Sequence, residues 1–293
     1  MGASIKSILN NLKYKDTLIK LILINVVIFI ALGTTRVISV LFELPVLDFS
    51  KYIEVSSNIK VVVTHIWTLF TYMFVHYDIL HILFNMLMLY WFGQIFLMYF
   101  TSKNFVALYI LGGIAGALFY IITFNTIPYF TKLGDSYMIG ASASVMAIIF
   151  AAAFYNKNQE VGLLFFGRVK IIYIALIIFI LDFLALGKGS NLGGHIAHIG
   201  GAALGYLFAI RFRNGKDITK SVNHFFDKIV NMFKPKPKMR VTTHNEKNRD
   251  YEYNQRKHNE TEEIDRILDK IKKSGYSSLN NEEKKKLFDA SNK

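Results

Sequence analysis

The stretch "GGHIAHIGGAALG", residues 193–205, decides how the chain is read. It is apolar apart from two histidines and runs on through "YLFAI" to residue 210. Gly201 and Gly205 stand one helical turn apart, the spacing that lets two helix backbones approach closely in a membrane. His195 and His198 precede that pair and pose the chemical question: a pair of ligands, packing residues, or one base with a bystander.

Five further apolar stretches of near-spanning length lie upstream, at about 17–34, 79–99, 103–124, 138–155 and 170–186. With 53% hydrophobic residues in 293 and a positive mean hydropathy, the chain exceeds what a soluble domain uses. Each stretch is predicted to be a helix, because lipid offers no water to satisfy unpaired backbone groups. In the third, "LGGIAGALF" repeats the close-packing signal with Gly112 and Gly116, which puts the third and sixth helices at the centre of the bundle.

Charge orients the bundle. Of 34 Lys and Arg, 21 lie from Arg211 onward, so the net charge of +13 describes a tail and no nucleic-acid partner is expected. Basic residues also gather at the N-terminus (Lys6, Lys13, Lys15, Lys20) and in the fourth connection (Lys157, Arg168, Lys170), which puts both termini in the cytoplasm. Six crossings agree with that, and the first stretch reads as a retained span because no small-residue cleavage site with a soluble domain follows it. Cysteine is absent, which removes disulfides and thiolate chemistry.

The chain divides accordingly. Residues 1–16 form a cytoplasmic N-terminus and 17–212 a six-helix membrane domain, whose long first outer connection (35–78) is expected to hold short interfacial helices. Residues 213–233 read as a juxtamembrane amphipathic helix with Ile218, Val222, Phe225, Phe226, Ile229 and Phe233 on one face. Residues 234–260 are polar, lack periodicity and read as a disordered linker. Residues 261–293 form a small cytoplasmic helical appendage: Ile264, Ile267, Leu268 and Ile271 recur at helical spacing up to Gly275, and "NNEEKKKLFDAS" starts a second helix.

Polar residues inside spans mark function. "HILFNM" sets His81 and Asn85 one turn apart at the start of the second helix, "GASAS" opens the fourth, and the two histidines open the sixth. All three helices begin at the outer surface, so His81, Asn85, Ser142, His195 and His198 share one depth. A serine in the first turn of a helix has backbone N–H groups beside it that can hold an oxyanion, and a histidine can serve as its base. Blander readings exist: Ser142 as a helix-starting residue, and His81 with Asn85 as an interhelical pair. A zinc site is set aside, and no metal or cofactor is expected. "HIAHI" lacks the glutamate of H-E-x-x-H, and His81 would be a third ligand only by abandoning Ser142.

In combination these motifs resemble the rhomboid proteases, the intramembrane serine protease family, over residues 17–212. "HILFN" resembles the family's H-x-x-x-N, "GASA" its G-x-S-x, and "AHIGGAALG" its A-H-x-x-G-x-x-x-G. The resemblance implies an all-α membrane protein: a rhomboid-like bundle of six transmembrane helices with a long first outer loop. It implies Ser142 as nucleophile and His198 as general base, a dyad without a carboxylate, with His81, Asn85 and the Ser142 N–H stabilising the oxyanion. Gly140 would let substrate backbone approach, and Gly201 and Gly205 would pack the sixth helix on the fourth. Met146 stands where many members place an aromatic against the catalytic imidazole; Thr68 after Trp67, and Leu97, also depart from the commoner pattern. Ser144 is the fallback nucleophile and His195 the bystander.

The function so implied is a serine endopeptidase acting on transmembrane protein substrates in the lipid bilayer, in a bacterial inner membrane. No partner can be read for the tail. Two rivals are a catalytically silent rhomboid-like binder of transmembrane segments and a small transporter. Intact Ser142 and His198 oppose the first, since silent relatives generally lack one or both. Polar residues confined to the outer helix ends oppose the second.

Overall fold

The computed structural model describes residues 5–44, 50–163, 167–233 and 246–291. They fall into two units, Met1–Met232 and Phe233–Lys293. In the first, every apolar stretch carries a helix. Helix α1 (Ile5–Leu41) leads into an outer connection built from α2 (Ser50–Ile53), strand β1 (Val55–Ser56), α3 (Ile59–Thr64), α4 (Thr68–Thr71) and a 3-10 turn at Tyr72–Phe74. Then follow α5 (Ile79–Leu97), α6 (Ser102–Thr126), α7 (Pro128–Thr131), strand β2 (Tyr137–Met138) and α8 (Ser142–Tyr155). The hairpin β3 (Glu160–Leu163) and β4 (Gly167–Lys170) precedes α9 (Ile171–Ala185), α10 (Leu192–Arg213) and α11 (Lys220–Phe233).

Helix starts follow local capping chemistry. Asp78 accepts a hydrogen bond from the His81 N–H and so fixes where α5 begins; Thr101 and Asn104 form a reciprocal capping box at α6. Among the described residues four helical segments, Thr17–Leu41, Ile79–Leu97, Ser102–Thr126 and Ile171–Lys188, are long and apolar enough to cross a membrane. The protein is therefore a multi-pass membrane protein with an all-α bundle, apart from two short antiparallel ladders, β1–β2 and β3–β4. Glycines and histidines dilute the apolar character of α10, and α8 has only 14 residues.

Helix α8 is the axis of the bundle. Every residue from Ala143 to Ala153 is buried, as expected of a helix that is apolar all round and meets protein rather than lipid. Ala143 and Ala147 serve two seams at once. On one side a Cβ at Gly116 or Gly112 of α6 would come within 2.5 Å of their side chains. On the other, a Cβ at Gly201 or Gly205 of α10 would run into their backbone carbonyls. These contacts let α6, α8 and α10 pack with backbones nearly touching. At the opposite end of α8 from Ser142, Phe100 packs on Phe208 and Tyr155 at 5.0 and 4.6 Å between ring centroids.

The outer connection is tied to the start of α8. Val55 pairs with Met138 and Ser56 with Tyr137, while the Tyr120 hydroxyl donates to the Ser136 carbonyl at 2.8 Å. Tyr72 donates its hydroxyl to Gly113 O at 2.6 Å and accepts at its own carbonyl from the Gly140 N–H at 3.0 Å. The turn that delivers Ser142 is thus hung from α6 through Tyr72.

Several boundaries differ from the sequence expectations. Helix α1 runs past both ends of 17–34, and α8 begins at Ser142 because 137–138 are spent on β2 and Gly140 has φ +109°. In the juxtamembrane segment, Asn104 binds Asp217 and Thr219, and Lys103 pairs with Asp227, leaving Phe225, Phe226 and Met232 exposed. The side chains of Ile229 and Phe233 lie outside the described ones. In the second unit, α12 (Glu246–Ser274) takes in residues 246–260, assigned above to a disordered linker. That part carries three Glu, two Lys and two Arg and is free of Pro and Gly, so its helix propensity suffices once 261–274 provide a nucleus. Residues 234–245 lie outside the described residues. Gly275 turns the chain (φ +72°) toward α13 (Asn281–Ser291). Buried Ile267 and Leu279, with Lys270–Glu283 and Lys286–Glu263 ion pairs, join the two helices.

Candidate active site

Four helices line one cavity of about 340 Å³: α5 with Leu80, His81, Phe84 and Asn85, α8 with Ser142, Val145 and Met146, α9 with Ile178 and Asp182, and α10 with His198. The structure thus brings together Ser142, His198, His81, Asn85 and Met146 in one wall. Ser144 points elsewhere: its hydroxyl is fully buried, 3.9 Å from Met73 Sδ on the side facing Gly113. Two residues along a helix turn a side chain through about 200°, which explains the separation.

The start of α8 is shaped by Gly140. Its φ of +109° is one that side chains rarely adopt, and a Cβ there would sit 2.7 Å from the His81 ring and 3.9 Å from Ser142 Oγ. The imidazole of His81, the glycine and the serine hydroxyl therefore crowd one point. Among the described residues no side chain caps α8 at Ala141, so none of them supplies a side-chain acceptor there for its first N–H groups. Asn85 uses its amide N–H to back-bond His81 O at 3.0 Å, so one further amide hydrogen and the side-chain oxygen remain for the cavity.

Behind His81 lies His76, a residue that the motifs do not single out. It is fully buried in the outer connection, meets the His81 ring edge-on at 5.0 Å between centroids, and accepts from the Ala141 N–H at 3.4 Å. Burial pushes its pKa down to about 4, with the neighbouring His81 acting in the same direction and the Phe74 backbone against it.

On the other side, a carboxylate stands beside His198, where the rhomboid resemblance implies none. Asp182 of α9 places Oδ1 2.8 Å from His198 Nδ1 and 2.7 Å from His195 Nδ1. His195 is thus no bystander at the mouth; it shares a carboxylate with His198. His198 Nε2 is buried without a hydrogen-bond partner among the described residues, so the Ser142 hydroxyl is not bonded to it here. The only advance sign of Asp182 is its isolation as a charge in "IIFILDFLA". Its partner is set by the turn between α9 and α10, where Gly189 and Asn191 adopt positive φ.

Asp182, His195 and His198 also offer one ligand atom each within 4.8 Å of one another, so the third donor that the sequence failed to find for a metal does exist. Both Nδ1 atoms already address the same oxygen at hydrogen-bond distance. A metal bound through them would have to replace both bonds.

Comparison with known proteins agrees with this architecture. A family model described as "Rhomboid domain" matches residues 63–215. A second, a family of unknown function (DUF6576), matches residues 247–293. The chain is 31% identical over 159 residues to "RHOMBOID-like protein 12, mitochondrial" of Arabidopsis thaliana, covering 51% of this chain and 47% of the relative. To "Presenilin-associated rhomboid-like protein A, mitochondrial" of Danio rerio it is 28% identical over 145 residues, 46% of this chain and 34% of that protein. The chain thus spans half or less of the length of these curated relatives.

Proposed function

This chain belongs to the rhomboid family of membrane-embedded proteins, and from that premise we propose that it is an intramembrane serine endopeptidase cutting transmembrane protein substrates near the outer membrane face. The observation that supports the reading is the single cavity lined by Ser142, His198, His81 and Asn85. In the proposed mechanism Ser142 Oγ bonds to the scissile carbonyl carbon as its proton passes to His198. The oxyanion is held by the Ser142 N–H, Asn85 and His81. Collapse breaks the C–N bond, and His198 delivers the proton to the leaving amine. Water then attacks the acyl-enzyme, giving a proton to His198 that returns to Ser142.

The depth of the site follows from helix length. Fourteen residues of α8 rise about 21 Å, against a hydrocarbon core of about 30 Å. A helix of that length, anchored at its inner end, starts below the outer surface, which puts Ser142 inside the membrane plane. The substrate helix must unwind locally to expose a carbonyl there, so sequences weak in helix propensity are favoured. In this reading α8 and α10 cross along with the four segments named above, giving six crossings with both basic ends on the inner side of a bacterial cytoplasmic membrane.

The test uses a fluorophosphonate probe and a model transmembrane substrate in proteoliposomes. Wild type and Ser144→Ala are labelled and cleave; Ser142→Ala does neither, and His198→Ala loses cleavage by about 10³-fold or more. Labelling and cleavage that survive Ser142→Ala would end the reading.

A further inference from the structure

Asp182 is the one charged side chain of α9, an apolar helix in which only Ile171 and Ala175 are buried. A carboxylate on an apolar, lipid-facing helix is costly, up to about 2.5–3.5 kcal/mol at the bilayer centre and less toward the helix end where Asp182 stands, so one retained there needs partners. It has two, and both are imidazoles of α10. His195 and His198 lie three residues apart, hence on one face of that helix, with rings 6.0 Å apart and nearly perpendicular. The two Nδ1 atoms converge on the same Oδ1, while Asp182 Oδ2 has no partner among the described residues.

The chemistry of this contact is directional. A carboxylate only accepts, so each ring must carry its proton on Nδ1 to make the bond. In neutral His198 that leaves the lone pair on Nε2, the nitrogen without a partner and the only one free for the Ser142 proton. Once that proton arrives, the ring is an imidazolium and Asp182 lies 2.8 Å from it as counter-charge. His195, bonded to the same oxygen on the far side, holds the carboxylate in place.

We propose that Asp182 is a positioning residue for His198, fixing the Nδ1–H tautomer and stabilising the imidazolium, with His195 as the mooring of the carboxylate. The proposal rests on the Ser142–His198 reading above. It makes the site a carboxylate–imidazole–hydroxyl relay across α9, α10 and α8. The titratable groups facing His198 are Asp182 of α9, His195 of α10 and His81 of α5.

The experiment compares Asp182→Asn, Asp182→Glu and His195→Gln in full-length protein in proteoliposomes. Three readouts are taken: the fluorophosphonate labelling rate, kcat and KM for the model substrate, and the thermal midpoint. Asparagine has nearly the shape of aspartate but presents an amide, which can hold the wrong tautomer. Asp182→Asn is therefore expected to lower both the labelling rate and kcat by about 10²-fold or more, with KM within threefold and the midpoint little changed. Asp182→Glu restores at least a tenth of the wild-type kcat, and His195→Gln lowers kcat less than Asp182→Asn does. Asp182→Asn within threefold of wild type, while Ser142→Ala remains unlabelled, overturns this inference and leaves the protease reading standing. A fall in the midpoint with no recovery in Asp182→Glu makes Asp182 structural and overturns it too. Loss of wild-type activity in strong chelator, regained with zinc, assigns the cluster to a metal and overturns it. Absence of labelling in the wild type sinks both readings.

Discussion

His76 sits fully buried against His81 and is held neutral, its pKa pushed from 6.5 down to about 4, chiefly by burial. Above pH 6.5 the ring is neutral folded or unfolded and contributes nothing to pH dependence. As pH falls from 6.5 toward 4, the unfolded chain takes up a proton that the folded one refuses, so stability declines, by on the order of 3 kcal/mol at the limit. The thermal midpoint of the purified protein is expected to drop across that window. His76→Gln, which keeps an acceptor for the Ala141 N–H, should flatten the drop; parallel curves for the two proteins would dismiss the attribution to His76. His76 and Asp182 also mark what single residues do not announce. Ser142, His81, Asn85 and His198, which line one cavity, stand out in the sequence because each sits in a spaced motif at a helix start. Asp182 has no partner within its own stretch, and His76 acquires its role only when the outer connection folds back onto residue 141.

Among the elements, α8 is held on both sides by glycine seams, and the two kinds of neighbour there predict unequal mutational costs. At Gly201 and Gly205 an added Cβ meets backbone carbonyls of Ala143 and Ala147, which cannot swing aside. At Gly193 it meets the edge of the Tyr120 ring at 2.9 Å, which can shift, and at Gly33 of α1 nothing lies within 4 Å. Gly201→Ala or Gly205→Ala should therefore destabilise by about 1–3 kcal/mol or more and lower activity by displacing His198 from Ser142. Gly33→Ala should be neutral or stabilise by about 0.5–1 kcal/mol. The measurement is the thermal midpoint with kcat on the same samples; equal midpoints for Gly205→Ala and Gly33→Ala would show that the seam relaxes. The four-residue glycine spacing is visible in the sequence, but it points to the third and sixth helices as central, and the pairing of the sixth with the fourth follows only from the rhomboid resemblance. Less visible was that one helix would serve both seams through Ala143 and Ala147, since alanine carries no motif. Helix ends escaped for a similar reason: β2 and the positive φ of Gly140 delay α8, and weak but unbroken helix propensity carries α12 back to Glu246.

For the whole molecule, the open physical question is whether a 14-residue helix crosses at all. Isolated, it would be too short for a bilayer core of about 30 Å. Wrapped by α5, α6 and α10 it has almost no lipid contact, since Ala143 to Ala153 are buried, and its ends need only reach water-accessible rims formed by its neighbours. The sequence supports the crossing through charge alone: Lys157, Arg168 and Lys170 follow α8, whereas the connection before it carries a single lysine, Lys132. Because the chain has no cysteine, one introduced thiol reports one position. Lys132→Cys and Asn158→Cys, both exposed and flanking α8, should differ: in intact bacterial cells expressing the chain, a membrane-impermeant maleimide labels position 132, and position 158 reacts only after the membrane is permeabilised. A third thiol at exposed Lys216, beyond α10, should behave like that at 158, because α9 and α10 add two further crossings. Equal labelling at 132 and 158 before permeabilisation would mean that α8 does not traverse, and Ser142 would then lose the depth that the proposed cleavage inside the membrane requires.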